Sequence, residues 1–110
     1  MTKHIVPRFK LMLFYDLADR HTEDYYQFIM NEMIPIMQAK NVFIFRAFQT
    51  ISGQQDSTHR NRQVEYVAED LEALAAALNS EEWQAMEAKL RNYVTNYSRK
   101  IVRFRQGFQL

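Results

Sequence analysis

Residues 42–51 constrain the fold more than any other segment, because a strand at this place would be apolar on both of its faces. The segment reads VFIFRAFQTI and alternates Phe43 and Phe45 with Val42 and Ile44. Successive side chains of a strand point to opposite faces of a sheet, so both faces need a cover. A chain of 110 residues is large enough for one core and too short for two. We therefore expect a second molecule to cover one of the faces.

The composition bounds the class of protein. Hydrophobic residues make up 47% and charged residues 25%, which is typical of a globular protein. The net charge of +1 provides no general field for nucleic acid or an anionic membrane, so neither partner is expected. Cysteine is absent, which excludes disulfides, thiolate metal sites and thiol nucleophiles. We expect a single domain over residues 1–110.

The first residues resemble a signal peptide only superficially. In MTKHIVPRFKLMLFYDL, basic residues precede an apolar run, but Lys10 and Asp16 interrupt that run and no small-residue cleavage site follows it. No segment approaches the length of a membrane span. We interpret this stretch as the first strand of a cytoplasmic protein.

Hydrophobic periodicity predicts alternating strands and helices. Residues 8–17 form a run of large apolar side chains of strand length, and residues 63–69 alternate between two sets. In residues 23–38 and in two later stretches, apolar residues recur at helical spacing. The predicted strands are 8–17, 42–51, 63–69 and 100–109, and residues 52–62 are predicted to form a hairpin loop. The predicted helices are 23–38, 71–78 and a stretch that runs from a cap at Asn79 to Tyr97.

Local signals mark the helix ends. Pro35 lacks a backbone donor and clashes with the carbonyl of Asn31, so we expect a kink or a tightened last turn there. Asn41 tolerates the left-handed conformation and predicts the end of the first helix. The predicted N-caps are Thr22, Asp70 and Asn79, the last with Glu82 three residues later as in a capping box.

The order strand, helix, strand, strand, helix, strand predicts a ferredoxin-like α+β fold. Two right-handed split crossovers place both helices on one face of a four-stranded antiparallel sheet. The other face stays bare, although its strands are apolar. The simplest cover is the same face of a second copy about a two-fold axis, which makes a homodimer through the open sheet face.

Two segments carry a family resemblance, EMIPIM at residues 32–37 and VEYVAEDLEALAAALNSEEW at residues 64–83. With the chain order, they resemble the dimeric α/β-barrel superfamily over nearly the whole chain. This superfamily contains antibiotic-biosynthesis-type monooxygenases, haem-degrading enzymes, muconolactone isomerases and stress-responsive barrel proteins. The resemblance implies a homodimeric barrel that handles a small hydrophobic ligand.

The resemblance also implies a choice of activities. The haem-degrading branch uses an Asn, Trp and His set, and Trp83 would match its Trp, but no histidine follows in residues 84–99. We therefore favour cofactor-free, monooxygenase-like chemistry on an aromatic or polyketide-like molecule. The alternatives are an isomerase, cyclase or dehydratase of the same fold, and a non-catalytic binding or stress-associated barrel.

The motifs of cofactor and metal sites are missing. With only Gly53 and Gly107, the chain has no phosphate-binding loop and no dinucleotide fingerprint. The histidines are scattered without ligand spacing, and we expect no metal and no cofactor. They are His4, His21 and His59.

Arg46 is the first candidate site residue, since it interrupts an apolar strand and shares a face with Val42, Ile44 and Phe48 by simple alternation. A buried arginine needs a partner, and Glu65 on the neighbouring strand is the candidate. One interpretation is an anchor for an anion or carbonyl inside a pocket. The favoured interpretation is an ion pair at a dimer interface or strand edge.

Aromatic residues supply the remaining candidates. They would converge between sheet and helices, either as a cavity lined with phenolic donors or as plain core packing. His21 precedes the first helix and would act as a general base near that cavity, or be an ordinary surface histidine. The predicted catalytic residues are His21, Tyr66 and Arg46, and the predicted ligand-binding residues are Tyr15, Tyr25, Trp83 and Glu65.

Residues 99–105 contain a basic cluster, formed by Arg99, Lys100, Arg103 and Arg105. Because these residues alternate with Val102 and Phe104, we interpret them as the solvent side of an edge strand whose charges discourage further pairing. The cluster does not predict nucleic-acid binding, since the charge of the whole chain does not support it.

Overall fold

The computed structural model describes residues 5–51, 53 and 60–104, and it contains one antiparallel sheet in the order β2-β3-β1-β4. The sheet and the helices packed on one of its faces make a ferredoxin-like α+β fold, as predicted. The strands are β1 (Phe9–Leu17), β2 (Phe43–Gln49), β3 (Arg62–Ala68) and β4 (Val94–Arg103), and the helices are α1 (Thr22–Phe28), α2 (Ile34–Ala39), α3 (Leu71–Leu78) and α4 (Glu81–Leu90).

The core lies between the helices and one face of the sheet. Alternate residues of β1, among them Leu11, Leu13 and Tyr15, are fully buried in one cluster with Leu74 of α3 and Trp83 of α4. We call this side of the sheet the helix face and the opposite side, to which the intervening β1 residues point, the open face. Within the described part of the chain, no helix is long and apolar enough to cross a membrane.

The first helical region continues through Pro35, with a wide turn before it. A π-helical turn, Ile29–Met33, joins α1 to α2, and Pro35 lies in the first turn of α2. The expected alternatives at Pro35 were a kink or a tightened last turn, and the structure has a widened turn in place of the tightened one. Widening accommodates the missing N–H donor and relieves the approach of the proline ring to the carbonyl of Asn31.

The predicted helix stop at Asn41 is confirmed. Asn41 has a φ of 64°, in the left-handed region. The amide of Asn41 donates to the carbonyl of Gln38 over 3.0 Å, and the amide of Val42 donates to the carbonyl of Met37 over 2.9 Å. These two bonds form a Schellman motif, which satisfies carbonyls that the end of a helix leaves unpaired.

Two predicted boundaries are wrong. Thr22 is inside α1, because a 3₁₀ turn, Asp19–His21, precedes the helix. The last helix ends at Leu90, and β4 begins at Val94, so Tyr97 lies on a strand. Helical spacing of aromatic residues persists past Leu90, but the pairing of Val94 with Leu17 of β1 decides the conformation. Predicted strand residues after 104 lie outside the described residues.

The N-cap of α4 is Ser80 and not Asn79. The hydroxyl of Ser80 accepts a hydrogen bond from the backbone amide of Trp83 and donates to the carbonyl of Ala77. We expect Ser80→Ala to lower the free energy of unfolding by about 1 kcal/mol, because it removes this cap. Asn79→Ala, the matched control one residue earlier, should have a clearly smaller effect in the same denaturant titration. Equal losses would contradict the assignment of the cap.

Candidate functional site

The candidate site residues divide between the two faces of the sheet. Tyr66 pairs with Leu11 of β1 and points to the helix face, whereas Glu65, its neighbour on β3, pairs with Met12 and points to the open face. On the helix face or on the helices above it are Tyr15, Tyr25, Tyr66 and Trp83. On the open face are Arg46 and Glu65. The predicted residues therefore do not form one site.

Three phenols meet beneath α1. The hydroxyls of Tyr15 and Tyr25 form a short hydrogen bond, and their rings meet edge to face with centroids 5.8 Å apart. Tyr66 is fully buried, and its hydroxyl has no hydrogen-bond partner among the described residues. Tyr97 of β4 stacks on the other side of Tyr15 at 6.3 Å. An aromatic cluster with phenolic groups thus lies between sheet and helices.

These phenols stay protonated at neutral pH. Burial raises the pKa of Tyr15 well above its ordinary value, and burial also raises the pKa of Tyr66. Burial raises the pKa of Tyr25 as well, although its hydrogen bond with Tyr15 acts in the opposite direction. Either hydroxyl can donate the hydrogen bond that joins Tyr15 to Tyr25, so one phenolic proton of the pair is not used between them. The cluster therefore offers a hydrogen-bond donor and not a base.

Arg62 is a site residue that the sequence analysis missed. It pairs with Tyr15 of β1 on one side and with Gln49 of β2 on the other. Its Nε is buried and has no hydrogen-bond partner among the residues that the structure describes, and its guanidinium carbon lies 5.9 Å from the ring centroid of Tyr26. The sequence pattern places Arg62 in the hairpin loop of residues 52–62. The available signal was alternation, since residues 62, 64 and 66 share one face of β3.

A pocket of about 140 Å³ lies where β2 meets α1. It reaches the phenol of Tyr25 but is not lined by Tyr15 or Tyr66, which lie deeper. Arg62 and Gln49 supply polar groups, and the other lining residues are aromatic or aliphatic. The lining residues are Tyr25, Tyr26, Ala47, Phe48, Gln49, Arg62 and Val64.

Glu65 occupies the centre of a separate charged cluster on the open face. Its side chain is 1% exposed, and its Oε1 accepts from Arg46 Nε over 2.7 Å and from Lys10 Nζ over 2.9 Å. Its Oε2 accepts from the amide of Gln63. Burial by itself would raise the pKa of the Glu65 carboxyl, but these hydrogen bonds outweigh it and lower the pKa. The predicted contact between Arg46 and Glu65 is therefore present, with Lys10 as a second cation.

A β-bulge explains why Arg46 reaches Glu65. Ile44 pairs with Tyr66 and Arg46 with Glu65, so two steps along β2 correspond to one along β3, with Phe45 as the extra residue. The expectation that Arg46 shares a face with Ile44 is therefore wrong. Simple alternation fails here because the bulge shifts every later residue of the strand by one.

Aromatic rings surround the two cations of this cluster. Lys10 Nζ lies 4.6 Å from the ring centroid of Phe104 and 5.4 Å from that of Phe45. The guanidinium of Arg46 lies within 5.2 Å of the ring centroids of both Phe45 and Phe48. Cation–π contacts and the carboxylate together compensate the desolvation of Lys10, which is 6% exposed. This arrangement fits the interpretation of Arg46 as an ion-pair partner rather than a ligand anchor.

Trp83 and His21 lie apart from the lining of the pocket beside Arg62. Trp83 is fully buried in the core, and its indole N–H has no partner among the described residues. The guanidinium of Arg99 lies 5.9 Å from its ring centroid. His21 ends the 3₁₀ turn before α1, where its Nε2 accepts a hydrogen bond of 3.2 Å from Arg20.

The basic cluster of β4 is divided by the sheet. Arg99 pairs with Leu13 on the helix face and Lys100 with Met12 on the open face. Arg99 donates to Glu87 over 2.9 Å, and Arg105 lies outside the described residues. In the described ranges, no group of three acidic or histidine side chains is placed to hold a metal ion.

Solved structures provide the comparisons. The chain is similar to a NIPSNAP family protein from Agrobacterium tumefaciens, with 14% identity, a TM-score of 0.64, and coverage of 96% of this chain and 93% of that one. It is also similar to an ethyl tert-butyl ether D (EthD) family protein from Bacillus halodurans, with 13% identity, a TM-score of 0.63, and coverage of 94% and 99%.

A third similar structure is a protein of unknown function from Bacteroides thetaiotaomicron that is described as a possible oxidoreductase. Its identity is 12%, its TM-score is 0.63, and the similarity covers 89% of this chain and 98% of that one. No protein-family model matches the chain, and no curated protein matches it. At these identities the comparisons show the α+β fold and leave the activity of this chain open.

Proposed function

We propose that this chain is a small-ligand-handling protein of the dimeric α/β-barrel type, and that its ligand binds in the pocket beside Arg62. The observation that carries the proposal is the unused hydrogen-bonding capacity there. The Nε of Arg62, which lines the pocket, is buried without a partner among the described residues, and the Tyr15–Tyr25 pair at its edge leaves one phenolic proton free. Buried polar groups of native proteins are normally hydrogen-bonded, so groups without partners point to a ligand.

The enzymatic form of the proposal is cofactor-free, monooxygenase-like chemistry. Tyr25 would donate a hydrogen bond to a carbonyl oxygen of an aromatic substrate, and Arg62 would stabilise the negative charge as that carbonyl becomes an enolate. Both groups are held in place before the substrate binds, which is the arrangement that stabilises a developing oxyanion. The raised pKa of the phenol keeps it a donor throughout.

The proposed reaction balances without a cofactor. A methylene carbon between aromatic rings and opposite a carbonyl loses two hydrogens and gains one oxygen atom from O₂. The other oxygen atom leaves as water, and the substrate supplies all the electrons that reduce O₂. The chain itself contributes the orientation of the substrate, the exclusion of water and stabilisation of the enolate.

A second candidate function is binding without turnover. Tyr15, Tyr66 and Trp83 are each 0% exposed, so the interior beneath the helices is filled by the chain's own side chains. In that case the pocket at Tyr25 and Arg62 would hold a ligand, and the deeper phenols would serve the core.

The proposed assembly is a homodimer through the open face. Phe45 and Phe48 are 42% and 47% exposed on that face, and Met12 and Phe14 of β1 are partly buried beside them. The charged groups of the cluster on this face are already paired with one another, and exposed aromatic rings surround them. Such a surface is suited to pack against a second apolar sheet.

O₂ uptake with a hydroxyanthrone tests the two candidate functions. We expect the wild-type protein to accelerate O₂ consumption and quinone formation, and Tyr25→Phe to reduce the rate by roughly 10²-fold because it removes the donor to the oxyanion. Tyr93→Phe, which changes a partly buried tyrosine that does not line the pocket, is the matched control.

Calorimetric titration of the same proteins measures whether each of them binds the anthrone. Binding of the anthrone without O₂ consumption would favour the non-catalytic candidate. If the wild-type protein binds no aromatic ligand and does not accelerate O₂ consumption, the proposed function is overturned.

A further inference from the structure

We propose that the ligand of this pocket carries a carboxylate, which pairs with the guanidinium of Arg62. The inference rests on the proposed function, because it names the chemical class of the ligand that the same pocket binds. It goes further than that function in one respect. An aromatic ligand needs only the apolar wall, whereas this pocket is also lined by Arg62, whose buried Nε has no acceptor among the described residues.

Arg62 has no carboxylate partner among the described residues, whereas two more exposed arginines have one. Arg46 donates to Glu65 over 2.7 Å, and Arg99 donates to Glu87 over 2.9 Å. The guanidinium of Arg62 lies 5.9 Å from the ring centroid of Tyr26, and its buried Nε has no acceptor among the described residues. A buried donor without an acceptor is costly, so a ligand carboxylate that accepts from Nε would relieve that cost.

The lining of the pocket favours an anion over a neutral group. None of its residues is acidic, and Gln49, which lies opposite Arg62 in the sheet, contributes a neutral amide. The carboxylate of a ligand would accept from Arg62 Nε and from the phenolic hydroxyl of Tyr25. Hydrogen bonds of this charge-assisted kind are about twice as strong as those between neutral groups.

The same lining favours a monoanion on a planar ring. One cation faces the pocket, which matches the single charge of a carboxylate better than the two charges of a phosphate monoester. The ring of Tyr26, over which the guanidinium of Arg62 lies, supplies a flat wall, and Tyr25 also lines the pocket. An aromatic carboxylate would place its ring against Tyr26 and its charge at Arg62.

Calorimetric titration with 2-naphthoate and 2-naphthamide tests the proposal. These probes have nearly the same shape, and only the first carries a charge. We expect the wild-type protein to bind 2-naphthoate at least about tenfold more tightly than the amide. Arg62→Gln should remove this preference, and Arg62→Lys, which keeps the charge, should retain part of it.

Arg103→Gln is the matched control. Arg103 also lies over an aromatic ring, that of Phe9 at 5.3 Å, but it pairs with residue 9 at the other end of β1 from Tyr15. This variant should bind both probes as the wild type does. Thermal unfolding of each variant reports whether the fold is intact.

The outcomes separate the two proposals. If the acid and the amide bind in the pocket with equal affinity, the proposal of a ligand carboxylate is overturned. The proposed function is then unaffected. A preference that survives in Arg62→Gln, or tighter binding of 2-naphthyl phosphate, also overturns the proposal of a ligand carboxylate. If neither probe nor the anthrone binds the wild-type protein, the carboxylate and the proposed function fall together.

Discussion

Glu65→Gln is expected to lower the free energy of unfolding by about 3 kcal/mol or more at neutral pH, the largest effect of any single substitution on the open face. The change keeps the shape of the side chain and removes its charge. It leaves Lys10, which is 6% exposed, and Arg46 beside each other without the carboxylate that both contact. An uncompensated buried cation is more costly than the absence of the whole cluster.

The pH dependence follows from the lowered pKa of Glu65. A carboxyl whose pKa is lowered in the folded state stabilises that state above the unfolded pKa, near 4.5, and loses this contribution as the pH falls through the folded pKa. The difference in stability between wild type and Glu65→Gln should therefore be complete above pH 4.5 and shrink below it. Urea titrations at several pH values measure both curves.

Two controls accompany this experiment. Glu69→Gln removes an exposed carboxylate just after β3 and should change the free energy of unfolding little. Lys10→Met combined with Glu65→Gln removes one of the two cations and should recover part of the stability. A pH-independent difference between wild type and Glu65→Gln would contradict the assigned role of the Glu65 charge.

Phe48→Asp is expected to convert the proposed homodimer into a folded monomer. Phe48 is 47% exposed and lies beside the guanidinium of Arg46 on the open face. Removing one well-placed aromatic anchor from an interface costs 2 kcal/mol or more, and a carboxylate there must also be desolvated. The dissociation constant should therefore rise by roughly 10²-fold or more. Since Phe48 is half exposed in the single chain, its replacement should not unfold the monomer.

Sedimentation equilibrium of the two proteins at matched concentrations measures this change. Leu71→Asp is the matched control, because Leu71 is 48% exposed on α3, away from the open face. It should leave the dissociation constant unchanged. A wild-type protein that is monomeric at micromolar concentration, or a Phe48→Asp variant that dimerises normally, would contradict the proposed interface.

Much of the fold could be predicted because its signals are local. The large apolar run of β1 and the alternation of β3 were visible in short windows, and both strands lie where the pattern indicated. The stop at Asn41 followed from the conformations that asparagine tolerates, and the structure has a φ of 64° there. The contact between Arg46 and Glu65 followed from the need of a partly buried arginine for a carboxylate.

The candidate site was less predictable, since its composition depends on strand register. Tyr15, Tyr25 and Tyr66 were named for their residue type, but their positions around one point required the packing of α1 on the sheet. Arg62 was missed because its role depends on lying opposite Tyr15. In the sequence, Lys10 only interrupts an apolar run, and no local pattern indicates its ion pair with Glu65.

The sequence by itself determined the order of strands and helices, the class of fold and the presence of a second apolar face, since periodicity is a property of neighbouring residues. Tertiary structure decided which residues meet. The bulge at Phe45 places Arg46 on the open face. Residues 94–97, for which the spacing predicted a helix, form a strand because β4 pairs with β1. Both depend on hydrogen bonds between segments that are distant along the chain, and no local pattern records those bonds.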